Sequence, residues 1–189
     1  MTKYLVLFFT VLTTVSILSL TGVYSNAEMK APPLMILPTL LIIIALFRFS
    51  IDFRKKIFGI GNKYLTLFHL WRVIPGAIFL ILYSKEMLPG SWALPAGVGD
   101  IIIALLAPIV AYLTAPNTRR GKAIYIGFHI LGFVDLFGVV ISGVTHLFMG
   151  YSQVAIITQF PMSILPSFLV PITLTAHIVS IYLATRSSK

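Results

Sequence analysis

Seven ionisable side chains fall inside long apolar runs of this 189-residue chain: Arg72, Asp100 and Asp135, with His69, His129, His146 and His177. A charged side chain at membrane depth costs about 3 kcal/mol on insertion scales, so such groups face the protein interior and mark a pathway, a site or a structural lock. The residue types suit several chemistries. A guanidinium fork recognises carboxylate or phosphate, a buried aspartate exchanges a proton or binds a cation, and neutral imidazoles ligate metal ions or haem iron. Two carboxylates against one guanidinium leave one negative charge to be met at depth by a histidinium, a proton, a metal ion or a cationic substrate. The structural alternative for each residue is an ion pair locking two helices, or a histidine capping a free carbonyl.

Spacing groups these residues by helix face, because positions i, i+3, i+4 and i+7 share a side. His69 and Arg72 are three apart, and Pro75 and Gly76 continue their side. Asp100 shares a side with Ala93, Ala96, Gly97, Ala104, Ala107 and Ala111, a small-residue stripe that lets helix backbones approach. Asp135 goes with Gly132, Gly138, Ser142 and His146, and His177 lies between Thr173 and Ser180. Both aspartates follow a glycine by three positions, Gly97 to Asp100 and Gly132 to Asp135, which suggests a decayed inverted repeat whose acids meet. Counting from the basic loops at 1.5 Å per residue puts His69, Arg72, His129 and His177 roughly 9–14 Å into the cytoplasmic half. The same count brings both aspartates near the midplane and leaves His146 by the outer face.

Arg72, Asp100, Asp135 and His69 are therefore the candidates for binding a substrate or proton, and His129 and His177 for holding a cofactor, whose identity the residues leave unknown. Two of His69, His129 and His177 suit the axial positions of a b-type haem, whereas all three with an aspartate suit zinc, the second aspartate then serving as general base. No residue is assigned a catalytic role. The chain has no His-Glu-x-x-His pair, no Gly-x-Ser-x-Gly setting around Ser91 or Ser152, no phosphate-binding loop and no dinucleotide fingerprint. It has no cysteine, which excludes disulfides and thiolate ligands.

The elements that must carry these side chains are set by composition. Hydrophobic residues make up 58% of the chain, charged ones 10%, and the mean hydropathy is +1.00; an ordinary soluble domain is about 25% charged. The expected fold is all-α, a single transmembrane domain of about six helices over residues 3–24, 32–49, 64–84, 93–114, 122–148 and 163–185. Loops are expected at Glu28–Pro33, Asp52–Lys56, Leu88–Ser91 and Ala115–Lys122. Pro38, Pro75, Pro108, Pro166 and Pro171 interrupt the spans, and the uncharged stretch between Phe148 and Pro161 suits the outer interface. Lys3 with the apolar stretch Tyr4–Leu20 and Ser25-Asn26-Ala27 resembles a secretory signal, but a stretch of seventeen residues exceeds the usual 7–15 and favours a retained helix.

Orientation follows from lysine and arginine. One set of alternate loops holds Lys3, Arg48, Arg54, Lys55, Lys56, Lys63, Arg119, Arg120, Lys122, Arg186 and Lys189, and the other only Lys30 and Lys85, so both termini are expected in the cytoplasm. The formal charge of +9 is thus a topology signal and not a nucleic-acid patch. The expected partner is the lipid bilayer of a cell or inner membrane, with a second copy or partner subunit needed to enclose a full pathway. The expected function is binding or transport of a small solute or ion, in a site suited to proton coupling. The alternatives are an intramembrane metal-dependent enzyme and a b-type haem protein of electron transfer.

Overall fold

The computed structural model describes residues 2–24, 32–114 and 118–186, and these form seven α-helices and no strand. They are α1 (Thr2–Leu20), α2 (Pro32–Phe49), α3 (Ile51–Phe68), α4 (Val73–Ser84), α5 (Gly90–Leu113), α6 (Arg119–Phe148) and α7 (Val170–Arg186). A 3-10 turn, His69–Arg72, joins α3 to α4; a second, Ser152–Thr158, follows α6; and a π turn, Leu165–Leu169, opens α7. Five helical stretches are long and apolar enough to cross a membrane: Lys3–Leu20, Ile51–Ser84, Gly90–Leu113, Arg119–Phe148 and Leu165–Arg186. The remaining expected span, in α2, is a shorter apolar helix, Met35–Phe49. Large apolar side chains such as Leu105, Ile109, Val134 and Ile141 point outward while small and polar ones are buried, the pattern of helices solvated by lipid.

The third helix begins earlier than its hydropathy predicts. Asp52–Lys56, expected as a loop, is helical, because Arg54, Lys55 and Lys56 are sound helix formers whose charge hides them from a hydropathy scan and Asp52 lies in the helix's first turn, where a negative charge is favoured. The break falls instead at Gly61, whose φ of 79° is open to glycine at no steric cost. The Ser25-Asn26-Ala27 sequence, the loop stretches 28–31 and 115–117, and Lys189 lie outside the described residues.

The chain packs as two compact units. The first comprises Met1–Arg54 and Val140–Ile172. In it the start of α1 meets the end of α2 and the start of α3: Lys3 Nζ lies 3.3 Å from Asp52 Oδ2, and the hydroxyls of Tyr4 and Ser50 are 2.8 Å apart. Val15, Tyr24, Met35 and Phe168 form its core. Pro171 has no N–H to offer the carbonyl of Ser167 four residues back. Thr39 Oγ1 donates to that oxygen instead, at 2.6 Å, so an α2 side chain closes the gap that proline opens.

The second unit comprises Lys55–Val139 and Thr173–Lys189. Ile103, Ala107, Val110, Tyr125, Phe128 and Ala184 pack together at one level of it. Lys63 Nζ sits 4.0 Å from the centre of the Tyr112 ring, and Lys122 Nζ reaches the carbonyl of Thr185 at 3.4 Å, so basic residues from several helices gather at one end. At the α4–α5 crossing a Cβ on Gly76 would stand 2.8 Å from the carbonyl oxygen of Gly97 and 3.0 Å from Asp100 Cβ. The expected small-residue stripe is buried there, from Ala93 through Ala96, Gly97, Asp100 and Ala104 to Ala107. Gly76→Ala should therefore force two backbones apart and destabilise the detergent-solubilised protein by about 1–3 kcal/mol. Gly59→Ala, whose Cβ meets nothing within 4 Å, should not; paired thermal unfolding of the two variants checks this.

Candidate functional site

The 3-10 turn between α3 and α4 is where the site begins. Pro75 has no N–H, and in a regular helix its ring would press on the carbonyl of residue 71. The chain tightens over His69–Arg72 just before it. With three residues per turn, positions i and i+3 lie almost directly above one another. His69 and Arg72 thus project to one side, and both are fully buried.

Arg72 is held by two carboxylates and a carbonyl. Its Nε donates to Asp100 Oδ1 at 2.6 Å, one terminal nitrogen donates to Asp135 Oδ2, and the other donates to the carbonyl of Gly132 at 3.3 Å. The guanidinium thereby ties the turn to α5 and to α6. Asp100 is buried, whereas the Asp135 side chain keeps 21% of its surface exposed. The two Gly-x-x-Asp motifs share a physical role here. Gly97 lets α5 lie against Gly76 and Leu80 of α4, and Gly132 leaves room for the His177 ring, so the aspartate three positions on can reach Arg72. Gly99 adds a third such place, since a Cβ there would collide with the Asp135 carboxylate.

The three histidines form a second cluster. His69 stacks on His177 with centroids 3.8 Å apart and planes 16° apart. His129 Nδ1 faces His177 Nδ1 at 3.0 Å. Each of the three can offer a ring nitrogen such that the three atoms lie within 4.8 Å of one another, the one group among the described residues arranged to hold a metal ion. On its far side His129 Nε2 meets Thr66 Oγ1 at 3.2 Å, with the Tyr125 hydroxyl 2.9 Å beyond. Tyr125 in turn donates to the carbonyl of Asn62 at 3.0 Å. Both nitrogens of His69 and Nε2 of His177 are buried with no hydrogen-bond partner.

The structure thus regroups the candidates. Arg72, Asp100 and Asp135 come together as one ion cluster. His69, which its spacing assigned to Arg72, belongs with His129 and His177: the 3-10 turn aligns His69 with Arg72, yet its ring stacks on α7. His146 does not join them. Its Nδ1 bonds the carbonyl of Ser142 one turn back at 2.8 Å, and Gly138, expected on the same buried side as Asp135, has open space around it. Thr66 and Tyr125 escaped the sequence reading, although they stand three residues before His69 and four before His129, on the same helix faces.

Removing Arg72 leaves two acids without their cation. Arg72→Met should destabilise the fold by about 3–5 kcal/mol, the usual cost of an uncompensated buried charge. Adding Asp100→Asn and Asp135→Asn should restore most of that loss, as thermal unfolding of the single and triple variants would measure.

The comparisons with known proteins add a family and no function. No curated protein and no solved structure matches the chain. Residues 31–185 match a family described as a domain of unknown function, DUF8737, a span that runs from before α2 almost to the end of α7 and holds every residue of both clusters. Since the match covers most of its 189 residues, the chain belongs to the DUF8737 family.

Proposed function

We propose that the protein crosses a cell membrane six times, with both termini in the cytoplasm, and binds a small cation within its second unit. The observation that carries the cation reading is the commitment of Arg72. A guanidinium already bonded to Asp100, Asp135 and the Gly132 carbonyl has little left for an anionic solute. With both acids ionised the ion cluster carries one excess negative charge where the dielectric is low, which favours a cation or a bound proton beside it. The same geometry argues against the haem alternative. A porphyrin needs its two axial imidazoles end-on across a wide gap, whereas His129 and His177 meet nitrogen to nitrogen at 3.0 Å and His69 lies flat on His177.

The topology draws support from the lysines and arginines, eleven on one set of loops against two on the other. The Lys3–Asp52 and Tyr4–Ser50 contacts add to it, because they bring the start of α1 to the end of α2, as an antiparallel pair of crossings requires. At 18 residues α2 is about 27 Å long, close to the hydrocarbon thickness of a bilayer. Transport across the membrane would call on a second copy or a partner subunit to complete the path.

Two outcomes follow. Reporters that fluoresce only in the cytoplasm should light up at either terminus and stay dark when inserted between Lys85 and Ser91. Among monovalent, divalent and organic cations, at least one should bind the purified full chain in calorimetry and raise its melting temperature. Asp135→Asn, which leaves the Arg72–Asp100 pair intact, should weaken that binding about tenfold or more. A chain that binds none of the panel, or a variant that binds as tightly as wild type, would overturn the cation reading.

A further inference from the structure

The hydrogen atoms of the histidine cluster can be counted. Tyr125 spends its only hydroxyl proton on the carbonyl of Asn62. Thr66 has one proton, within reach of that same carbonyl at 2.8 Å, of the Tyr125 oxygen and of His129 Nε2. When it goes to either oxygen, His129 Nε2 carries its own hydrogen and donates to Thr66 Oγ1, and that tautomer turns Nδ1 of His129 to His177 as a bare lone pair. In the same space lie Nε2 of His177 and both nitrogens of His69, buried and without partners. His69, a buried imidazole with neither nitrogen bonded, forfeits free energy that packing alone does not return, and its convergence with His177, which has one nitrogen unbonded, and with His129 is the arrangement of an unfilled ligand set.

We infer that His69, His129 and His177 bind one divalent first-row transition-metal ion, of the class of zinc, cobalt, nickel or copper, with Thr66 and Tyr125 as positioning residues. This rests on the cation reading above and names the cation. Imidazole nitrogens suit these borderline metals, while magnesium and calcium call for oxygen donors. Three nitrogens at 2.0–2.1 Å from a tetrahedral ion stand roughly 3.4 Å apart. Closing from the present arrangement, within 4.8 Å, takes on the order of an ångström of side-chain movement and opening of the His69–His177 stack. Three protein ligands leave a fourth position for water or a substrate, the pattern of a working site more than a closed structural one. The hydrogen bond from His129 to Thr66 and on to Tyr125 orients the ring as outer-shell partners of metal-bound histidines do. Gly132 joins the two clusters, because its carbonyl takes Arg72 and a Cβ there would meet the His177 ring.

The test is titration of the detergent-purified full chain with cobalt(II) and zinc. Wild type should take up one cobalt per chain with the intense visible bands of a low-symmetry four-coordinate ion, which zinc then abolishes. Pulsed electron paramagnetic resonance of a copper-loaded sample should register more than one coupled imidazole, a readout that needs no variant. His69→Phe keeps a flat ring on His177 and removes two unpaired nitrogens, so it should fold at least as stably as wild type yet lose cobalt affinity about 100-fold. Thr66→Val should bind about tenfold more weakly with its bands shifted, as expected of an outer-shell partner. Wild type without the bands, or His69→Phe binding as tightly, would overturn the metal site. If an organic or monovalent cation then bound in a manner lost in Asp135→Asn, the cation reading would stand without the metal; binding of no cation at all would remove both.

Discussion

Everything in the second unit is arranged around the need to keep Arg72 charged and away from solvent. Desolvating a guanidinium costs several kcal/mol even after the surroundings relax, and only close, well-aligned acceptors return it. Three partners do so here, drawn from α5 and α6, and each reaches Arg72 only because the helices approach closely at small residues. Gly76 against Gly97 sets the α4–α5 crossing, Gly99 clears the path of the Asp135 carboxylate, and Gly132 offers its carbonyl to Arg72 while its bare Cα admits His177. The glycines and the charges are thus one device. A side chain at any of these positions would separate an acid from its cation in a medium where separation is expensive.

The same constraint explains why proline sits where it does. Pro75 forbids a regular helical bond one turn earlier, and the chain answers with a 3-10 turn over His69–Arg72. That turn eclipses His69 and Arg72, so one backbone irregularity aims two polar side chains from a helix otherwise solvated by lipid. Pro171 is handled differently, through a donor supplied by Thr39. In both places the freed backbone is answered inside the protein, the condition for tolerating proline in an apolar helix.

Much of this was legible in the chain. Six of the seven ionisable residues in apolar runs come together in the two clusters, and period 3.6 places the alanine and glycine stripe of α5 on the side of Asp100, which is how it packs. Legibility fails where the period changes or where polarity hides an element. His69 and Arg72 share a side, but a linear pattern cannot say that one ring turns to α7 while the other side chain turns to α5 and α6. Asp52–Lys56 reads as a loop because hydropathy measures burial and not helix propensity. Gly138 follows Asp135 at helical spacing, yet open space surrounds it, and only the neighbouring helices decide where a stripe ends. Thr66 and Tyr125 are ordinary residue types, and what singles them out is the histidine they meet.

The two clusters differ in a way that bears on what the protein can hold. In the ion cluster every nitrogen of Arg72 already has a carboxylate or carbonyl partner, so it offers charge and little room. In the histidine cluster the nitrogens are neutral and several are unengaged, so it offers lone pairs but no charge. An anion would meet a guanidinium already shared between two carboxylates. A neutral solute would find lone pairs facing one another with few protons to bridge them. A cation, as proposed, would draw on the lone pairs of the imidazoles and on the carboxylate charge that Arg72 leaves in excess, so each cluster supplies what the other lacks.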